Sequence, residues 1–262
     1  METRGWVLIG YVRMSGEENM TLDERLARRM QDDPEMPSVL RLYGWKPWAI
    51  SLGHHQRFDD IDVRRCKDAG IDVVRRPTGG RAILHAEELT YCVVMPVGRR
   101  GILDVYNDIS RALVRGLAAF GADVTLQKAQ PDFRVEYRKA ASIPCFASSA
   151  RYEIEADGKK LVGSAQRRFG GGERDVVLQH GSILCGPAHL TLPDYLHNDD
   201  QDAIAEVRTI LSDHTIDLAA LLNRRIDVPA LAECVQHGFE REWGIAFSTD
   251  ISLTNEMGSL YA

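Results

Sequence analysis

The chain has 262 residues, of which 44% are apolar and 27% charged, and its formal net charge is −6. This is an ordinary balance for a soluble globular protein of one large domain, or one domain with a small appendage. It argues against long-range attraction to nucleic acid, and no apolar run approaches the roughly 18 residues of a membrane span. The opening Met1-Glu2-Thr3-Arg4-Gly5-Trp6 lacks a basic region followed by an apolar core, so no secretory signal is expected. Five cysteines, at 66, 92, 145, 185 and 234, are odd in number and none are closely spaced. That pattern fits free thiols in a reducing cytoplasm and offers no zinc-like spacing, so no metal is expected.

In chain order, Ser15 with Glu18 forms a capping box, and Leu22, Leu26 and Met30 recur at four-residue spacing. They predict a helix over 17–30. Val39–Tyr43 and Ala49–Leu52 read as strands on either side of a Gly-Trp-Lys-Pro turn. Ile61, Cys66 and Ala69 suggest a short helix stopped by Gly70, and Ile71–Val74 a strand. Leu89–Met95 is a continuous apolar strand. Ile102, Tyr106, Ile109, Leu113, Leu117 and Phe120 keep helical spacing up to Gly121. Asp123–Leu126 reads as a strand. Residues 128–149 form a long irregular stretch of the kind that often carries function. Tyr152–Glu155 and Lys160–Arg168 flank Asp157-Gly158, a strong hairpin signal. Gly170-Gly171-Gly172 marks another turn, and Val176–Leu184 returns as a strand. From about 187 the pattern turns helical, over 201–211, 215–222 and 228–243, the last capped by Asp227. The tail 250–262 reads as irregular. Strands and helices mix without strict alternation, which predicts an α/β (α+β) fold with a mixed, largely antiparallel sheet packed with helices.

One stretch stands out: Arg75-Arg76-Pro77-Thr78-Gly79-Gly80-Arg81-Ala82-Ile83-Leu84-His85. A strand runs into a glycine-rich turn where the backbone can approach a ligand, beside arginine forks suited to carboxylate, phosphate or carbonyl oxygen. Downstream come Lys160-Leu161-Val162-Gly163-Ser164-Ala165 and Leu178-Gln179-His180-Gly181-Ser182. Together these words, from roughly Met20 to Ser182, resemble the lipoate and octanoate attachment enzymes, relatives of the biotin protein ligases. In that family an Arg-Arg-x-(Ser/Thr)-Gly-Gly-x-Ala-x-x-His turn and a later Lys-x-x-Gly-Ser-Ala word build one acyl pocket. The chain is most similar to the cysteine-dependent octanoyltransferases, whose mark is a cysteine in the loop before the lysine hairpin; here it is Cys145, in Ser142-Ile143-Pro144-Cys145-Phe146. Arg81 after the two glycines also resembles these transferases. Ala86 departs from the Asp that many relatives place after the histidine, which leaves that job unfilled or passes it to Glu87 or Glu88.

The resemblance implies a single catalytic domain over 1–262, with a helical C-terminal segment from about 187 and a twisted sheet like that of biotin protein ligases and class II synthetases. It implies an acyltransferase that takes an octanoyl group from octanoyl-acyl carrier protein. The acyl group passes through a thioester on Cys145 to a lysine of a lipoyl-domain protein, such as the glycine cleavage H protein. No cofactor is then needed, and neither nucleic acid nor membrane is a partner. Cys145 is the candidate nucleophile and Lys160 the cation that lowers the thiol pKa and polarises the carbonyl. Thr78, Gly79 and Gly80 belong to the acyl-pocket turn, and Arg76 anchors the phosphopantetheine side of the donor. Gly163, Ser164 and Ala165 leave room for the chain. His85 and His180 border the pocket; a histidine after an apolar strand is more often a hydrogen-bonded structural residue than a base. A positive rim of Arg75, Arg76, Arg81, Lys159, Lys160, Arg167 and Arg168 suits an acidic carrier.

Three other readings stand beside this one. An ATP-dependent lipoate or octanoate ligase would use ATP and magnesium, with Lys160 on the acyl-adenylate. A non-catalytic module that binds a carrier domain would have no use for both Cys145 and Lys160. A nucleic-acid regulator would need a helix-turn-helix ahead of residue 20, where there is no room.

Overall fold

A computed structural model of the chain describes residues 5–127, 153–172, 175–197 and 201–248. It opens with β1 (Trp6–Met14), α1 (Gly16–Asp32) and β2 (Ser38–Trp45). Strands β1 and β2 are parallel neighbours, and parallel pairing requires a crossover, which α1 supplies. The Ser15 hydroxyl and Glu18 carboxylate form the reciprocal capping box that starts the helix. The strand β3 (Ala49–Leu52), α2 (Val63–Asp68), β4 (Asp72–Arg75) and β5 (Ile83–His85) follow, then β6 (Glu88–Pro96) and α3 (Ile102–Phe120). Next come β7 (Thr125–Gln127), β8 (Glu153–Ala156), β9 (Lys159–Phe169) and β10 (Val176–Leu184). The β8–β9 turn has Asp157 and Gly158 at φ of 51° and 71°, the paired positive values of a type I′ hairpin turn. A 3-10 segment Pro187–Tyr195, α4 (Gln201–His214), α5 (Leu218–Leu222), α6 (Val228–Trp243) and β11 (Phe247–Ser248) complete it.

Eight strands form one sheet in the order β11-β1-β2-β6-β10-β9-β8-β7, and β4-β3-β5 form a second. In the large sheet β11, β1 and β2 run parallel, and every pairing from β2 to β7 is antiparallel. This is the mixed, largely antiparallel sheet that the sequence predicts. The strand β1 was not among the predicted elements: Val7 and Ile9 alternate inward, but the pattern is lost from Gly10 onward. Nor was the 3-10 segment or β11.

Residues alternate across a strand, so β6 feeds two cores. Leu89, Tyr91 and Val93 pack with Ile109, Leu113 and Leu117 of α3 and Leu231, Val235 and Phe239 of α6. The helix α6, near the C-terminal end of the described residues, is thus part of the main core. Cys92 and Val94 face the other way, onto Leu22, Leu26 and Met30 of α1. A side chain of this size contributes roughly 1.5–3 kcal/mol when fully buried. The small sheet builds a third core with the 3-10 segment and α4, through Ile50, Leu84, Leu192 and Leu211.

Candidate active site

The motif turn between β4 and β5 is held from three sides. From within, Arg76 is buried and donates from Nε to Gly79 O (3.1 Å), from Nη1 to Ser51 O (3.0 Å) and Oγ (3.1 Å), and from Nη2 to Arg81 O (2.6 Å). From β9, Arg167 donates to Pro77 O at 2.9 Å. From β10, His180 meets the Thr78 hydroxyl at 2.7 Å. Gly80 has φ of 94°, a conformation that side chains rarely adopt. Its carbonyl lies so close to Gly53 that a Cβ there would stand 1.9 Å from it. Gly80 in the turn and Gly53 after β3 are therefore both demanded where the two segments meet.

A partly open, narrow cavity with about 20 Å³ of unfilled space sits beside this turn, lined by Met20, Tyr43, Trp45, Arg76, Ile83, His85, Thr90, the strand Gly163–Ala165, and His180–Ser182. Two histidines contribute to its polar frame, each wired to a carboxylate. His180 Nδ1 lies 2.9 Å from Asp23 Oδ2. A carboxylate only accepts, so Nδ1 carries the proton and Nε2 accepts from Thr78. Asp23 is also bound by Arg41 Nη1 at 2.7 Å and the Tyr43 hydroxyl at 2.8 Å. Arg41 also donates to Asn19 Oδ1, and all these groups are buried. Burial pushes the Asp23 carboxyl upward, but Arg41, His180 and Tyr43 outweigh it and hold it below its ordinary pKa. Burial lowers the His180 pKa; its bond to Asp23 works against this without overcoming it.

His85 has the same wiring with different partners. Its Nδ1 is 2.8 Å from Glu88 Oε1, its Nε2 is 2.7 Å from Ser51 Oγ, and its ring stacks on Trp45 at 4.0 Å and 14°. Glu88 Oε1 also accepts from Thr90 (2.5 Å), Ser182 (2.8 Å) and Trp45 Nε1 (3.2 Å). Burial raises the Glu88 pKa, but His85, Thr90 and Ser182 more than offset this and keep it low. The position after His85 is Ala86, and Glu88 takes up the role of holding the histidine. Glu87 instead ties the loop after β10, accepting at its carbonyl from Cys185 and Gly186 and at Oε2 from Ala188.

Of the residues singled out from sequence, Arg76, His85, Gly163, Ser164, Ala165 and His180 line this cavity. Thr78 stands behind His180. Gly79 and Gly80 shape the turn and are not among the lining residues. Arg76, expected to anchor the acyl donor, lines the cavity while its guanidinium also bonds Gly79, Arg81 and Ser51. Ser164 Oγ accepts from the Tyr91 hydroxyl at 2.7 Å. Lys160 is the second residue of β9, is buried, and accepts at its carbonyl from Ile216; it is not among the lining residues. Cys145 lies outside the described residues, eight positions before Glu153, where β8 begins.

Sequence reasoning missed Asp23 and Arg41, while Glu88 was one of the two residues it offered for the role at His85. A signal existed for both missed residues. Asn19, Asp23 and Ala27 make a second row at four-residue spacing, all buried beside Leu22, Leu26 and Met30. Arg41 interrupts the apolar strand Val39–Tyr43, and a polar residue inside such a run calls for a buried partner. Among the described residues no cluster of three metal-binding side chains occurs, and no helix is long and apolar enough to cross a membrane.

Comparison with known proteins matches residues 15–240 to the lipoyl protein ligase A/B catalytic domain. The chain is 35% identical to the octanoyltransferase LipM of Kyrpidia tusciae, over 91% of this chain and 87% of that one. It is 34% identical to the octanoyltransferase LipM of Moorella thermoacetica, over 99% and 94%. Among solved structures, the bipartite lipoate protein ligase from Thermoplasma acidophilum superposes with a TM-score of 0.73 at 20% identity, covering 98% of this chain and 92% of that one. At that identity the likeness speaks for the fold alone.

Proposed function

The chain belongs to the lipoyl protein ligase A/B catalytic domain family, and from that premise we propose that it is an octanoyltransferase of protein lipoylation. The observation that carries this reading is near-full-length kinship, at 34–35% identity, to proteins named octanoyltransferases. The donor is an octanoyl thioester of an acyl carrier protein in the cytoplasm, and the acceptor is a lysine of a lipoyl domain such as that of the glycine cleavage H protein. The Cys145 thiolate attacks the thioester carbonyl; the bond to the carrier's sulfur breaks and the carrier thiol leaves. The acceptor amine then attacks the enzyme thioester, an amide forms, the amine gives up its proton and Cys145 is regenerated. Lys160 supplies positive charge to the thiol and to the developing oxyanion. The apolar cavity receives the acyl chain, and the bonded histidines keep its walls in place.

Elimination supports Cys145. Burial raises the thiol pKa of each cysteine among the described residues: Cys66 to about 11, Cys185 to about 12, and Cys92 and Cys234 upward. Thiols held protonated are poor nucleophiles.

A thioester already carries the activation that a free acid draws from ATP. Transfer from octanoyl-carrier protein to a lipoyl domain should therefore proceed with no ATP or magnesium present. Robust pyrophosphate release from free octanoate and ATP, with transfer that survives Cys145→Ala, would replace this reading with a ligase.

A further inference from the structure

Beside the acyl cavity lies a second, more open cleft of about 300 Å³, bounded by the first turns of α1, by Phe58, and by Val73, Val74 and Arg75 of β4. Met20 lines both spaces and is itself buried, with 6% of its surface exposed. We propose that the Met20 side chain is the partition between the two, and so sets the upper limit on acyl chain length; this rests on the octanoyl-transfer reading of the cavity. The outer cleft is polar on one side, where Glu17, Thr21 and Glu24 of α1 line it, and apolar on the other. Val73 and Val74 give it an apolar wall, and Phe58 stands 41% exposed beneath the Arg75 guanidinium, 4.8 Å from its ring centroid. That guanidinium is turned to the carbonyls of Gly53, His54 and Gln56, which leaves the ring as an apolar surface just outside the partition. A thioether on three rotatable bonds fills such a gap without polar cost. Shortening it joins the two spaces, and carbons beyond the eighth then find cover along Phe58, Val73 and Val74.

The test measures equilibrium binding of free octanoate, decanoate and dodecanoate by calorimetry, and in parallel transfer from the matching acyl-carrier thioesters. In the unaltered protein the two longer acids should gain nothing over octanoate. In Met20→Ala and in the milder Met20→Val, each added pair of methylenes should raise affinity about tenfold, the value expected for apolar burial of two groups. Met30→Ala, a buried methionine on the same helix that lines neither space, should keep the original profile. Thermal melts identify which variants fold. An unchanged chain-length profile in folded Met20→Val, or no binding of any acid to the unaltered protein, overturns the partition. Absence of transfer by an unaltered protein that still binds octanoate with this length limit would instead overturn the octanoyltransferase reading and leave the partition standing.

Discussion

The two histidine sites are built on one plan and balanced in two ways. His180 and His85 each join a buried carboxylate at Nδ1 to a hydroxyl at Nε2. Asp23, however, uses both oxygens: Arg41 holds Oδ1, and Tyr43 and His180 share Oδ2. Glu88 gathers His85, Thr90, Ser182 and Trp45 on Oε1, and its buried Oε2 has no partner among the described residues. Around Asp23 a permanent guanidinium balances the charge, although Arg41 Nε has no partner among the described residues; around Glu88 the donors are two hydroxyls, an indole N–H and an imidazole, with no guanidinium. The first site is therefore a buried ion pair that fixes α1 to β2 and β10. The second is an array of hydrogen bonds that fixes β5 to β6 and β10.

The contrast breaks most sharply at Arg41. Arg41→Met leaves Asp23 charged in a dry site, and removing one partner of a buried pair costs about 3–5 kcal/mol. Urea unfolding should show that loss, and a loss below about 1 kcal/mol would mean that Arg41 is not the balancing charge. Glu88→Gln keeps the shape and removes a charge that several hydrogen-bond donors share, so its cost should be smaller, about 1–3 kcal/mol. Equal losses in the two variants would erase the distinction.

The smallest effect is in pH. The His180 pKa is lowered on folding, so folding stability should be level above its unfolded value of about 6.5 and fall as pH drops below it; Asp23, also lowered, adds a further loss toward the acid range. His180→Asn should flatten the part of the melting-temperature profile just below pH 6.5 while leaving the acid limb. A variant that keeps the same fall between pH 6.5 and 5.5 would show that the titration belongs elsewhere.

Much of this architecture was legible in the chain. The capping box at Ser15, the apolar spacing that ends at Gly121 and the Asp157-Gly158 turn are local signals, and each element formed where its own residues called for it. The motif residues were found because several separate words agree. What stayed hidden depends on distant pairing. The strand β1 has little alternation of its own and forms through parallel pairing with β2. Asp23 and His180 are 157 positions apart, and the partners that hold Arg76 in place, three main-chain carbonyls and a serine hydroxyl, carry no sequence signature. Periodicity shows that a polar residue is buried, but not which partner meets it.

The central claim is that an acyl group passes through Cys145. Intact-mass spectrometry of the protein mixed with octanoyl-carrier protein, without ATP and without acceptor, tests it most directly. The unaltered chain should gain the mass of one octanoyl group, mapped by peptide digestion to Cys145 and discharged when a lipoyl domain is added, and Cys145→Ala should gain none. An octanoyl adduct on another residue, or undiminished transfer by Cys145→Ala, would contradict it.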